Sequence, residues 1–197
     1  SNISVATVNN SGLVTGVSAG NVIITYINSN GCQITATLTV NPSPVVTFSP
    51  SNQTICSENT STLVTLSSTT PGATFSWTAS QPTGITGVIT SGTNTIPSQN
   101  LVNSTNAPIT INYVAVAATN GTSTCAGSTF SYTITVNPRP SITESFTEAI
   151  CSGESFSITP SNSTLNSIPV GTTYSWSAPI ITGGITGGVS ATNQTSI

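Results

Sequence analysis

The sequence predicts an all-β chain of tandem, antiparallel β-sandwich domains. Three observations carry that reading: apolar residues recur with a period of two, landmarks repeat about one domain length apart, and charge is nearly absent. The stretches 22–27, 33–40, 109–116 and 130–136 are β-branched, alternate in polarity and are bounded by Asn, Gly, Ser and Pro. Such alternation places one face on a core and the other in water, as in antiparallel sheets packed face to face. No stretch reads as a helix of useful length.

Repetition sets the domain frame. Asn41-Pro42-Ser43-Pro44 returns as Asn137-Pro138-Arg139-Pro140, 96 residues on, and Ile55-Cys56-Ser57 returns as Ile150-Cys151-Ser152, 95 on. Thr74 to Ala79 returns as Thr173 to Ala178, 99 on, and Gly84-Ile85-Thr86-Gly87 returns as Gly184-Ile185-Thr186-Gly187, 100 on. A slowly drifting offset means a tandem repeat with small loop insertions, of a length that suits one seven-strand sandwich. Each Val-Asn-Pro ends a strand, because proline has no N–H to donate and holds its predecessor extended. Three units follow: 1–41, the C-terminal part of one domain; 42–137, a complete domain; and 138–197, the N-terminal part of another.

Charge excludes whole classes of partner. Four acids (Glu58, Glu144, Glu148, Glu154) and one base (Arg139) make 3% of the 197 residues, against roughly 25% in ordinary domains. Nucleic acid and anionic membrane surfaces both need clustered Lys or Arg, so neither is an expected partner. No apolar run approaches the ~20 residues that span a bilayer. A serine nucleophile needs a neighbouring base, yet the chain has no His and no Lys; no enzyme activity and no catalytic residue are expected. No cofactor is expected either. The one place with acids enough to suggest calcium is the second joint, where Glu144 and Glu148, with Glu154, could combine with backbone carbonyls. Glu58 and Glu154 fall one residue out of step in the repeat.

Cys32, Cys56, Cys125 and Cys151 are isolated, with no His or Asp to suggest a metal site, which favours an exported, disulfide-bearing protein. Cys56 and Cys125 would close a 69-residue loop within the middle unit, a bridge that loop entropy values at roughly 4 kcal/mol. Trp77 lies between them, a Cys…Trp…Cys order like that of immunoglobulin domains. Cys32 takes the late position of the preceding unit and Cys151 the early position of the following one, so their partners are expected outside this segment. Trp77 and Trp176 recur at one repeat position within Ser/Thr alternation, which favours core aromatics over platforms for sugar stacking.

Residues 1–40 closely resemble the bacterial immunoglobulin-like group 2 (BIG2) motif, on Ala6-Thr7-Val8-Asn9-Asn10-Ser11-Gly12-Leu13-Val14-Thr15-Gly16, Gly20 and Val22 to Tyr26. Residues 42–197 resemble the PKD-like repeats of Bacteroidota surface proteins, on Ile55 to Glu58, Ile150 to Glu154, the Ser-Trp pairs at Trp77 and Trp176, and the Val-Asn-Pro joints. Strings of such domains are similar to the repeat regions of giant flavobacterial gliding-motility adhesins of the SprB kind. The resemblance implies an adhesive or structural segment on the outer cell surface, exported by type IX secretion. Its implied partners are a surface polysaccharide or other extracellular ligand, together with the secretion and motility machinery. The alternative is an accessory or carbohydrate-binding region of a secreted polysaccharide-degrading enzyme.

Overall fold

The computed structural model describes residues 2–119, 124–184 and 186–197. Every regular element among them is a β-strand, so the chain is all-β as its periodicity predicts.

In residues 1–41, β1 (Ala6–Val8) pairs with β2 (Val14–Gly16), and β3 (Gly20–Ile27) forms an eight-pair antiparallel ladder with β4 (Gln33–Val40). Both hairpins close with the same side-chain chemistry. The Asn9 Oδ1 accepts the N–H groups of Ser11 (3.1 Å) and Leu13 (2.9 Å). The Asn28 Oδ1 accepts those of Asn30 (3.0 Å) and Cys32 (2.9 Å). An asparagine that substitutes for backbone acceptors in this way is a strong local turn determinant. Val5, Ala6 and Val22 form the small core of this unit, with Val14, Leu38 and Val40 against it.

The middle stretch is a sandwich. Its strands are β5 (Thr47–Ser49), β6 (Gln53–Cys56), β7 (Val64–Ser67), β8 (Ala73–Ala79), β9 (Ile85–Thr86), β10 (Ser91–Thr93), β11 (Thr95–Ile96), β12 (Val102–Asn103), β13 (Ile109–Thr119) and β14 (Ala126–Asn137). A five-stranded sheet runs β10-β8-β13-β14-β6; a three-stranded sheet runs β11-β7-β5, and β12 pairs with β9. Alternation decides what faces inward. Ile111, Tyr113, Ala115 and Ala117 of β13, Tyr132, Ile134 and Val136 of β14, and Phe75 and Trp77 of β8 enter one core with Val64 and Leu66 of β7. The intervening Thr74, Ser76, Thr78, Thr110, Asn112, Thr129 and Ser131 stay outside.

One pairing departs from the antiparallel expectation. β6 runs parallel to β14, with Gln53 opposite Ile134 and Cys56 opposite Asn137. Hydrophobic alternation is identical in parallel and antiparallel edge strands, so it carries no signal of direction.

Residues 138–197 reproduce parts of the middle unit. β15 (Ser141–Ile142) pairs with β16 (Asn166–Ser167), and β17 (Tyr174–Trp176) with β18 (Ala191–Gln194). Trp176 stands opposite Ala191 as Trp77 stands opposite Gly92, and both Asn94 (φ 61) and Asn193 (φ 55) turn left-handed two residues beyond. No described strand of 138–197 takes the place beside β17 that β13 takes beside β8. Phe156, Val170, Ile180 and Val189 are accordingly exposed.

The core assignment has a direct test. Ile111, fully buried at the sheet centre, should lose about 2–5 kcal/mol of unfolding free energy as Ile111→Ala. Thr129→Ala on the outer face should change it by no more than about 0.5 kcal/mol. Urea unfolding of the whole chain measures both.

Candidate functional site

The chemistry-bearing residues gather at the two ends of the middle sandwich, where the chain comes in and goes out. At the outgoing end β14 finishes at Asn137, level with Cys56. The Ser57 N–H donates to the Asn137 carbonyl at 2.8 Å. Buried Asn103 donates from Nδ2 to the Val136 carbonyl at 2.9 Å, and its own N–H donates to the Ser57 hydroxyl at 2.9 Å. Glu58 follows with a left-handed backbone (φ 68), and its carbonyl accepts from the Asn100 side chain at 3.1 Å. Its carboxylate pairs with the guanidinium of Arg139, the sole base of the chain. Both partners are more than half exposed, so the pair adds little to stability; it orients the Pro138-Arg139-Pro140 joint against the sandwich.

The same turn recurs in the next unit. The Asn59 N–H donates to the Cys56 carbonyl, and the Glu154 N–H to the Cys151 carbonyl, each at 3.1 Å. The left-handed position of Glu58 is filled there by Gly153 (φ 91), which reaches that conformation without steric cost. Glu154 is therefore the counterpart of Asn59, and its Oε2 accepts the Cys151 N–H at 3.0 Å. The one-residue offset between the glutamates reflects two different roles.

At the incoming end Pro44 is fully buried, and its carbonyl lies so close to Gly127 that a Cβ there would clash. Two residues before Gly127 is Cys125, at the tip of the β13–β14 hairpin. The Thr119 N–H donates to the Cys125 carbonyl at 3.0 Å, and the Cys125 N–H to the Thr119 hydroxyl at 3.2 Å.

This placement corrects the expected Cys56–Cys125 bridge. Cys56 is level with the last residue of β14 and Cys125 precedes its first. At about 3.3 Å per residue, the twelve residues between those levels separate the two cysteines by roughly 40 Å, whereas a disulfide needs Cα atoms within about 7 Å. No bond joins any two of the four cysteines within the chain. Cysteine order along the chain does not report which pole of a sandwich each residue occupies.

Trp77 is buried; its Nε1–H donates to the Thr95 carbonyl at 2.9 Å, and its ring lies 5.7 Å from that of Tyr113. It is a core aromatic with a satisfied polar edge. Trp176 is half-buried and donates to the Val189 carbonyl at 3.1 Å. The acids near the second joint are held apart by separate partners. Glu144 accepts from the buried Asn166 amide at 2.7 Å, while Glu154 belongs to the Cys151 turn. Among the described residues no three His, Cys, Asp or Glu are grouped as metal ligands would be. The repeated segment 184–187 includes Ile185, which lies outside the described residues.

Sequence reasoning missed two polar pairs, one buried and one half-buried. Gln99 donates from Nε2 to the Tyr113 hydroxyl at 3.0 Å, and Gln53 from Nε2 to the Tyr132 hydroxyl at 2.6 Å. Burial raises the ionisation of both tyrosines above the ordinary value of 10.0, and the glutamine contacts oppose that rise.

Residues 53–140 match the family of PKD-like domains, a span that opens at β6 and closes at the Pro138-Arg139-Pro140 joint. No curated protein matches the chain.

Two outcomes test these assignments. Reducing agent should leave the thermal midpoint of the 197-residue chain unchanged in calorimetry; an intradomain bridge would instead remove roughly 4 kcal/mol on reduction. A tyrosine whose ionisation is raised by folding stabilises fully below the unfolded value and loses that contribution as pH climbs through the folded one. The midpoint should therefore fall as pH rises above about 10. The double variant Tyr113→Phe/Tyr132→Phe should show a shallower fall, whatever its midpoint at neutral pH.

Proposed function

We propose that this chain is part of an extended, non-catalytic stalk of tandem domains, divided as 1–41, 42–137 and 138–197, that forms or displays an adhesin at the cell surface. The observation that carries this reading is the recurrence of the Cys56 turn and the Trp77 hairpin in residues 138–197, around an Asn-Pro-x-Pro joint of constant pattern. A PKD-like domain is typically a structural module, and such domains are common in extracellular and cell-surface proteins, which agrees with the match over 53–140. No described helix is long and apolar enough to cross a membrane.

The physical properties suit that task. The sandwich is held by apolar burial and neutral hydrogen bonds, with one exposed ion pair, so ionic strength has little purchase on it. A short joint in which two of three residues are proline is stiff, and a stiff joint transmits tension and orientation from one domain to the next. The finer form of the proposal is a gliding-motility adhesin of Bacteroidota, exported by type IX secretion. In such a protein these repeats bear force generated elsewhere, and the ligand is a surface polysaccharide or another extracellular molecule.

Beads coated with antibody against residues 42–137 and watched on living cells test it. Beads that bind and travel along the cell are the expected result. Beads that bind and stay still would support the stalk but remove its motile role. An absence of bound beads, with the antigen in the medium, would shift the reading to an accessory region of a secreted polysaccharide-degrading enzyme.

A further inference from the structure

The long hairpin of residues 1–41 has the same register as the central hairpin of the middle domain. Counted back from the Asn-Pro that follows each, Gly20↔Val40 corresponds to Ile109↔Val136 and Val22↔Leu38 to Ile111↔Ile134. Ile24↔Ala36 corresponds to Tyr113↔Tyr132, and Tyr26↔Ile34 to Ala115↔Phe130. The far ends correspond as well: the Asn28 N–H donates to the Cys32 carbonyl as the Thr119 N–H does to that of Cys125, each at 3.0 Å. Their surroundings differ. Tyr113, Ala115, Tyr132 and Ile134 are buried, because β8 pairs along the other edge of β13 and the second sheet covers the face. Among the described strands β3 pairs with β4 alone. Val5 and Ala6 cover its face only around Val22; toward the tip, Tyr26 is 52% and Ile34 71% exposed.

Residues 138–197 hold the complementary half. β17 with β18 repeats β8 with β10, and Trp176 and Ala178 fall 99 residues after Trp77 and Ala79. In the middle domain the other edge of β8 takes β13, with Ala115 opposite Trp77 and Tyr113 opposite Ala79. That edge of β17 is open among the described strands. Ile150, whose counterpart Ile55 stands opposite Val136 of β14, is bare as well. A hairpin without a β8 and a β8 without a hairpin match in two respects, open edge to open edge and apolar face to apolar face. Neither the inward face of the hairpin nor β17 carries an acid or a base, so no charge loses its water when they meet. An open strand edge is a ready template for another chain. The two halves join the middle sandwich at its opposite poles, Pro44 lying against Gly127 near the start of β14 and Asn137 ending it. A strand of 12 residues, about 40 Å long, separates the two attachments, which favours a half supplied by a second copy.

We propose that two copies of this chain complete one domain between them: the β3–β4 hairpin of one copy adds to β17 of the next, in the place that β13 and β14 hold beside β8. The register of the middle domain then sets Tyr26 opposite Trp176 and Ile24 opposite Ala178. β4 takes the segment at Ile150 along its outer edge, as β14 takes β6. Each copy offers a hairpin at one end and an open edge at the other. The interface is therefore heterologous, and copies add head to tail into an open chain. This rests on the tandem-domain reading and deepens it, because the contact that builds a domain within the chain also joins one chain to the next.

The test is sedimentation velocity of the 197-residue chain at increasing concentration, in reducing agent so that thiols cannot couple copies. The expected result is a series of species from monomer upward whose mean size grows with concentration. Tyr26→Glu puts a charge on the hairpin face, and Trp176→Glu puts one on the receiving strand. Each variant alone should stay monomeric, since each spoils one side of every contact in the series. Mixed in equal amounts, the two should form dimers and nothing larger, because one intact hairpin meets one intact edge. Ile34→Glu repeats the hairpin test at a side chain that water already covers in the single chain. An unsubstituted chain that stays monomeric, assembly that stops at dimers, or a variant that assembles as the unsubstituted chain does overturns the proposal. A monomeric chain whose antibody beads still bind cells would keep the stalk and remove the shared domain; assembly without bound beads would do the reverse.

Discussion

The antiparallel pairing of β13 with β14 is the contact on which the middle domain depends. This hairpin forms the centre of the five-stranded sheet, receiving β8 along one edge and β6 along the other. It also contributes seven of the core side chains, including Tyr113 and Tyr132, whose rings sit 6.0 Å apart in edge contact. Trp77 packs on the first ring and Phe48 on the second, at 5.7 Å and 5.2 Å. The aromatic row thus ties both sheets to one hairpin. In residues 138–197 the Trp176 strand pairs with β18, and Phe156, Val170, Ile180 and Val189 are exposed.

The same hairpin organises the ends of the domain. Gly127 of β14 lies against the incoming Pro44, and the last residue of β14, Asn137, leads into Pro138. The buried side-chain polar groups at the ends find neutral partners. Asn103, Ser57 and the carbonyls of β14 form a closed set, and no buried side-chain polar atom among the described residues lacks a partner. Unpaired buried groups cost about 1–3 kcal/mol each, so a chain without ionic solubility still keeps its interior in order through Asn, Gln and hydroxyl groups. Ser, Thr and Asn then cover the outside, where they hydrate without responding to salt.

Much of this was legible beforehand. The strands expected at 22–27, 33–40, 109–116 and 130–136 lie within β3, β4, β13 and β14, because period-two burial writes itself directly into composition. Proline in the joints ended both long strands where its missing N–H requires. The core role of Trp77 followed from its recurrence among small polar neighbours. The Gln99–Tyr113 and Gln53–Tyr132 contacts were not legible, since a buried glutamine looks like a surface one until its partner is known. The left-handed Glu58 gave no signal either, and only its replacement by Gly153 in the next repeat hints at the backbone it adopts.

By itself the sequence determined the all-β class, the proline-marked ends of the two long strands β4 and β14, and the near absence of charge. Each of these is a local property: side-chain periodicity, proline's missing donor, and the count of ionisable groups. Only the tertiary structure decided where the cysteines stand. Their order along the chain allowed a bridge between Cys56 and Cys125, but β6 lies parallel to β14, which carries Cys56 to the outgoing pole while the hairpin tip holds Cys125 at the other. Strand direction and neighbour order are set by how two sheets close over a shared core, and residues distant in sequence write that jointly.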